Sequence, residues 1–302
     1  MLIHIHPHPG QPIAPHDVWG SWNPDPLILA ASLTLGWAYM RGNRGADWLD
    51  TRSVAFGLGM GAVLIALTSP LDAVAGSLAS AHMVQHMLLV VIAGPLLAWS
   101  RPLSTMLRGS PLRWRKVSGR WRRRTGLTPS RLRFLGHPGA AWLTLAGVIW
   151  LWHSAALYGA ALRLEAVHAL EHLTFLIAAV WFWSTVLEGV WGRRRSLGMG
   201  ILLLFTMAMQ GVILSAVMTF ATSPWYPEYI ETAPLWGLEP LADQQLAGLI
   251  MWIPSGLIYT GAALALLLKW IADSEPPRSR PSSVSIERQA VPIRSDVEEE
   301  LD

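Results

Sequence analysis

The chain contains no cysteine. Disulfides, thiolate metal sites and thiol catalysis are therefore excluded, and a soft metal would have to be held by methionine or histidine. Charge is scarce too: Asp, Glu, Lys and Arg make up 14% of the 302 residues, against 52% hydrophobic ones. Together with a positive mean hydropathy, that balance marks a polytopic membrane protein rather than a soluble domain. Residues 1–25 hold no Lys or Arg, so the basic start and apolar core of a secretory signal are both missing. No glycine-rich phosphate loop stands out.

What fills the chain instead is a series of apolar runs. The most informative is AHMVQHMLLVVIAGPLLAWSRP, residues 81–102, about 18 apolar residues that read as a membrane-spanning helix. His82 and His86 open it four residues apart, on one helical face. Pro95 is expected to free the carbonyl of Val91 and bend the helix. Six further runs read as helices over 26–40, 54–69, 140–156, 166–187, 199–221 and 244–271, the first slightly short for a span and the last with Pro254 in its middle. The expected architecture is an all-α, seven-transmembrane-helix bundle over residues 26–271. Before it lies a His/Pro-rich arm, residues 1–25, carrying His4, His6, His8 and His16 and expected to be disordered. After it, residues 272–302 form a Ser-, Pro- and charge-rich tail that is also expected to be disordered.

Lys and Arg set the orientation. The arm and the loops after helices two, four and six hold 0, 0, 1 and 0 of them, whereas the loops after helices one, three and five and the carboxyl end hold 3, 11, 3 and 5. That alternation puts the amino terminus outside and the carboxyl terminus in the cytoplasm. It also explains the basic pI of about 9.6 without nucleic acid, because the charge sits in loops beside a bilayer. The loop over 99–139 is expected to rest on anionic headgroups. Seventeen tryptophans fit interfacial belts. Lys269, the only lysine of helix seven, falls at the cytoplasmic end, which argues against a retinal Schiff base.

On this frame His82, His86, His153, His168 and His172 all fall in the outer half of the bilayer. The same layer holds Asp72, Glu171 and Asp243, carboxylates able to orient a ligating imidazole through its second nitrogen; Gln85, Gln244 and Gln245 offer the same service. Five imidazoles with carboxylates and no nearby lysine point to a metal or haem site. Copper is the preferred metal, with Met83, Met87 and Met218 at similar depth as possible thioethers or as packing. His168, Glu171 and His172 also spell H-x-x-E-H, the inverted zincin pattern, but the third ligand and peptide access that a protease needs are not identifiable. Alternatives are a membrane haem or di-metal redox protein using the same histidines, and a metal-free assembly scaffold whose polar cluster only holds helices together.

HMVQHMLLVVIAGPLLAWSRP, WHSAALYGAAL, VHALEHLTFLIAAVWFWSTVL and DQQLAGLIMWIPSGLIYT resemble, in that order, the seven-helix CtaG family, assembly factors of caa-type cytochrome c oxidase. The likeness covers roughly residues 20–272, and the ordered set of four motifs makes it specific. The resemblance implies a non-enzymatic factor of the cell inner (plasma) membrane that helps to mature a haem-copper oxidase, with oxidase subunits as partners and copper delivered on the outer face. His82, His86, His153, His168, His172 and Asp243 match the family motifs. The arginine-rich loop and the histidine-rich arm stand apart from that pattern.

Overall fold

The computed structural model describes residues 13–44, 49–111, 137–188, 190 and 195–274, and every regular element among them is helical. After a 3-10 turn at Pro15–Gly20 come α1 Pro26–Gly42, α2 Thr51–Thr68, the short α3 Pro70–Ala75, α4 Ala79–Ser100 and α5 Pro102–Gly109. They are followed by α6 Pro138–Trp152, α7 Ala155–Arg163, α8 Glu165–Leu187, α9 Arg195–Thr219 and α10 Pro240–Ala272. The helices α2, α4, α8, α9 and α10 are each long and apolar enough to cross a membrane, and α6 with α7 forms one further candidate span bent by 74°. Five crossings, or six with the bent pair, thus follow from length and composition, against the seven expected from sequence. The difference is α1: it has 17 residues and buries only Tyr39.

Pro95 does not break α4. A π-helical stretch, Leu88–Ala93, precedes it, so the bonding register shifts ahead of the ring and the helix runs on. Trp183 Nε1 donates to the carbonyl of Val90 in that stretch, at 3.2 Å. Gly94 follows at a close approach to α8, where a Cβ would sit 3.0 Å from Ala179 Cβ and 3.1 Å from Trp183 Cδ1. These contacts hold the part of α4 that follows the histidines against α8.

The main core lies between α4, α6, α8, α9 and α10, around Leu145, Phe182, Leu204, Met207 and Tyr259. A second cluster, at the end of the bundle capped by residues 222–239, joins Met83, Met218, Tyr158, Tyr226 and Tyr229. Met83 and Met218 are therefore packed among apolar and aromatic side chains, the packing role foreseen as an alternative to a thioether ligand. A third cluster ties α1 and α2 to α4 through Tyr39, Phe56, Ala66, Leu89 and Leu97.

The arm is better ordered from residue 13 onward than its composition suggested. Ile13 is buried and its N–H donates to Ser77 Oγ at 3.3 Å, while the Asn23 N–H reaches the carbonyl of Thr68 at 3.1 Å. One apolar side chain and two backbone bonds are enough to lay this segment along α2 and α3. His16 stays exposed beside Asp17; His4, His6 and His8, most of the arginine-rich loop and the tail beyond residue 274 lie outside the described residues.

Candidate metal centre

Two helices carry the centre. The i, i+4 spacing on α4 aims His82 and His86 the same way, and α8 presents Glu171 and His172 against them. One ligand atom from each of His82, His86, Glu171 and His172 lies within 4.8 Å of the other three. His82 Nε2 and His86 Nε2 are 2.9 Å apart, hydrogen-bond distance, and also the separation of two ligands at right angles on one ion with bonds of about 2.0–2.1 Å. Glu171 brings Oε2 to 3.5 Å from His82 Nε2 and Oε1 to 3.5 Å from His86 Nε2. All four side chains are buried, His82 and Glu171 at 0% exposure and His172 the most open at 6%.

Burial of this kind demands partners, yet both Glu171 oxygens, His172 Nε2 and His86 Nδ1 have no hydrogen bond among the described residues. A buried carboxylate with both oxygens unpartnered, beside two imidazoles, His86 and His172, that each keep an unpartnered nitrogen, fits a cation better than it fits an empty polar pocket. Three nitrogens and one oxygen suit a divalent ion such as copper or zinc.

The other two histidines flank the four. His168 is half-buried, with its ring centroid 4.2 Å from that of His172 and 5.4 Å from that of His82, and its Nε2 is unpartnered. His153 sits at the corner between α6 and α7. Its Nδ1 bonds the carbonyl of Ile149 at 2.7 Å, leaving a free Nε2 on a ring 6.2 Å from that of His86. A void of about 30 Å³, room for one water, lies between these two rings and Gln210, Ser255 and Tyr259.

The carboxylates divide their work. Glu171 stands inside the cluster, its carboxylate among the converging ligand atoms. Asp72 accepts from Gln85 Nε2 at 2.7 Å; burial holds its carboxyl above the usual range, with the neighbouring His168 pulling the other way. Among the described residues, no hydrogen bond joins Asp243 to an imidazole. It accepts from the Ala79 N–H at 2.6 Å, the Ser80 N–H at 3.1 Å and Ser80 Oγ at 2.5 Å, so it pins α10 to the start of the helix that carries His82 and His86. Gln244 accepts from the Trp225 N–H and Gln245 donates to the Ala221 carbonyl, both fastening the capping segment between α9 and α10.

The tyrosines around the centre were not singled out from sequence. Tyr229 Oη lies 3.2 Å from His82 Nδ1, 3.1 Å from Tyr158 Oη and 3.0 Å from the carbonyl of Ala75. Tyr226 donates to the carbonyl of His153 at 3.0 Å and stacks on Tyr158 with centroids 3.9 Å apart. Burial raises the phenol pKa of Tyr226 and of Tyr229, so both stay neutral. The sequence did hold a signal, since the chain has only five tyrosines and three of them gather at the capped side of the cluster.

Fold and site together define a helical membrane protein with a buried centre of three histidines and a glutamate in two neighbouring helices. Residues 34–273 match the family described as cytochrome c oxidase caa3 assembly factor (Caa3_CtaG), and the chain belongs to that family. Over 268 residues it is 27% identical to proteins of Mycobacterium bovis and Mycobacterium tuberculosis, and over 266 residues 25% identical to one of Mycobacterium leprae, all three described as uncharacterized. The aligned part is 82–86% of this chain but only about 40% of the relatives' length. No solved structure matches.

Proposed function

We propose that the chain is a non-enzymatic assembly factor for a haem-copper (cytochrome c) oxidase, which holds copper transiently at His82, His86, Glu171 and His172 and releases it to an oxidase subunit. Family membership supports the assembly role. The observation that carries the metal is the convergence of four buried ligand atoms within 4.8 Å, with both carboxylate oxygens unpartnered. His153 and His168 flank the ion as alternative ligands, an arrangement that favours transfer over permanent retention. The short gap between the His82 and His86 nitrogens suits a bare ion better than a porphyrin, whose axial imidazoles must stand on opposite faces of the ring.

In this reading α1 is the first of seven crossings. Its 17 residues span about 25 Å, and the ends of the arm complete the passage. Arg41, whose Nε donates to the carbonyl of Gly109, marks the cytoplasmic side, while the tyrosine cap and the histidines face outward across the plasma membrane.

The test is genetic. Replacing His86 and His172 together by alanine is expected to abolish oxidase maturation while leaving the chain in the membrane at normal abundance; full oxidase activity in cells carrying that variant would sink the proposal.

A further inference from the structure

The four ligand side chains are closed off from the outer face by the buried Tyr158, Tyr226 and Tyr229. The opening lies to the side. A cavity of about 690 Å³ runs between α1 and the bundle, and His168 and His172 form part of its wall. His172 is therefore shared: it is one of the four converging ligands and it borders the cavity, with its Nε2 unpartnered. His168 stands between the cavity and the centre, its ring 4.2 Å from that of His172.

The chemistry of the wall is one-sided. Asp25, Asp72 and Glu165 line it, and no Lys or Arg does. A recess carrying three carboxylates and no cation concentrates positive ions and speeds their arrival. Further in, one face of α1 borders the space through Ile28, Ala31, Ser32 and Leu35, residues spaced as a single helical stripe. Among the described residues, the contacts that fasten that helix lie near its ends. Tyr39 stacks on Phe56 at 3.9 Å and donates to the carbonyl of Ser100, and Asn23 bonds Thr68; between them α1 buries nothing else.

We infer that this cavity is the lateral passage by which a metal cation reaches and leaves the buried centre, with Asp72 and His168 as the handover groups and α1 as its movable wall. The inference rests on the metal reading above. It assigns the ion's path to the side of the bundle, beneath the arm and α1, rather than through the tyrosine cap.

Because the chain has no cysteine, any introduced thiol is unique. The experiment uses the full-length chain in lipid nanodiscs carrying Ser32→Cys or Ala169→Cys, two cavity-wall positions on different helices, with Leu33→Cys on the exposed side of α1 as control. Small water-soluble thiosulfonates should modify both cavity thiols and leave Leu33→Cys unreacted. A cationic reagent should react about tenfold faster than an anionic one of equal size, and Glu165→Gln should narrow that difference. Copper(II) is then added and its uptake followed by quenching of tryptophan fluorescence, with the final metal content measured by elemental analysis. The adduct should slow uptake about tenfold or more without changing the final content, as a blocked passage does. Unchanged uptake after complete modification of both cavity thiols would overturn the passage while leaving the centre standing. Equal reactivity at Leu33→Cys, or no preference for the cationic reagent, would likewise overturn it. Absence of copper from the unmodified chain at equilibrium would overturn the metal reading itself.

Discussion

Tyr229 ties the capping segment to the first histidine of the cluster. Its hydroxyl donates to the carbonyl of Ala75 and so accepts from Tyr158 and from His82 Nδ1. That network assigns the His82 proton to Nδ1 and leaves the Nε2 lone pair aimed at Glu171 and His86. Removing the hydroxyl in Tyr229→Phe should weaken metal affinity by about 10–100-fold, the usual cost of losing the partner that orients a ligating imidazole, while the variant folds normally. Competition titration against a chromophoric chelator measures it, and wild-type affinity would show that His82 needs no such support. Residue by residue, His82, His86 and His172 were legible because i, i+4 spacing fixes a shared face whatever the tertiary structure. Glu171 was legible as a nearby carboxylate but not as a member of the inner four, since the sequence does not tell how two helices are rotated against each other. Tyr226 and Tyr229 were harder still. They come from a loop whose fold depends on contacts with Ala75, Ser77 and His153, and nothing local in the sequence encodes those.

Among the elements, α4 bears the greatest demand, because it must cross the membrane, carry two ligands and accommodate Pro95. Its first two residues donate to one buried carboxylate, Asp243, which sits at 0% exposure on α10. Asp243→Ala leaves the buried Ala79 and Ser80 donors unsatisfied and should cost about 1–3 kcal/mol, lowering the thermal midpoint of the detergent-solubilised chain. An unchanged midpoint would mean that the Asp243 bonds add nothing to holding α4 in place. The long apolar runs announced most helices, because length and composition determine which segments partition into a bilayer. The π-helical stretch and the 74° bend between α6 and α7 were not announced. A one-residue shift in bonding leaves composition unchanged, and the bend at His153 lies inside a run that reads as continuous.

At the scale of the whole molecule, the clustered histidines share one end of the described bundle with Tyr158, Tyr226, Tyr229, Glu171 and Asp243. In the proposed orientation, which rests on the distribution of Lys and Arg, that polar cap faces outside. Glu231→Cys, exposed on the cap, should therefore react with a membrane-impermeant maleimide in intact spheroplasts, whereas Ser104→Cys, exposed on α5, should react only after the cells are opened. The reverse pattern would invert the topology and place the metal centre on the cytoplasmic side. The count of crossings was the least legible global property. A helix of 17 residues is long enough to cross only with help from its flanks, and the space that α1 leaves beside the bundle exists only in the assembled fold.

The central claim is that three histidines and a glutamate hold one copper ion. Its most direct measurement is elemental analysis with an absorption spectrum on gently purified protein, comparing the native chain with the His86→Ala, His172→Ala double variant after copper reconstitution. The account predicts about one copper per native chain, lost in the variant, with no Soret band in either. Copper retained undiminished by the variant, or none in the native chain, would contradict it.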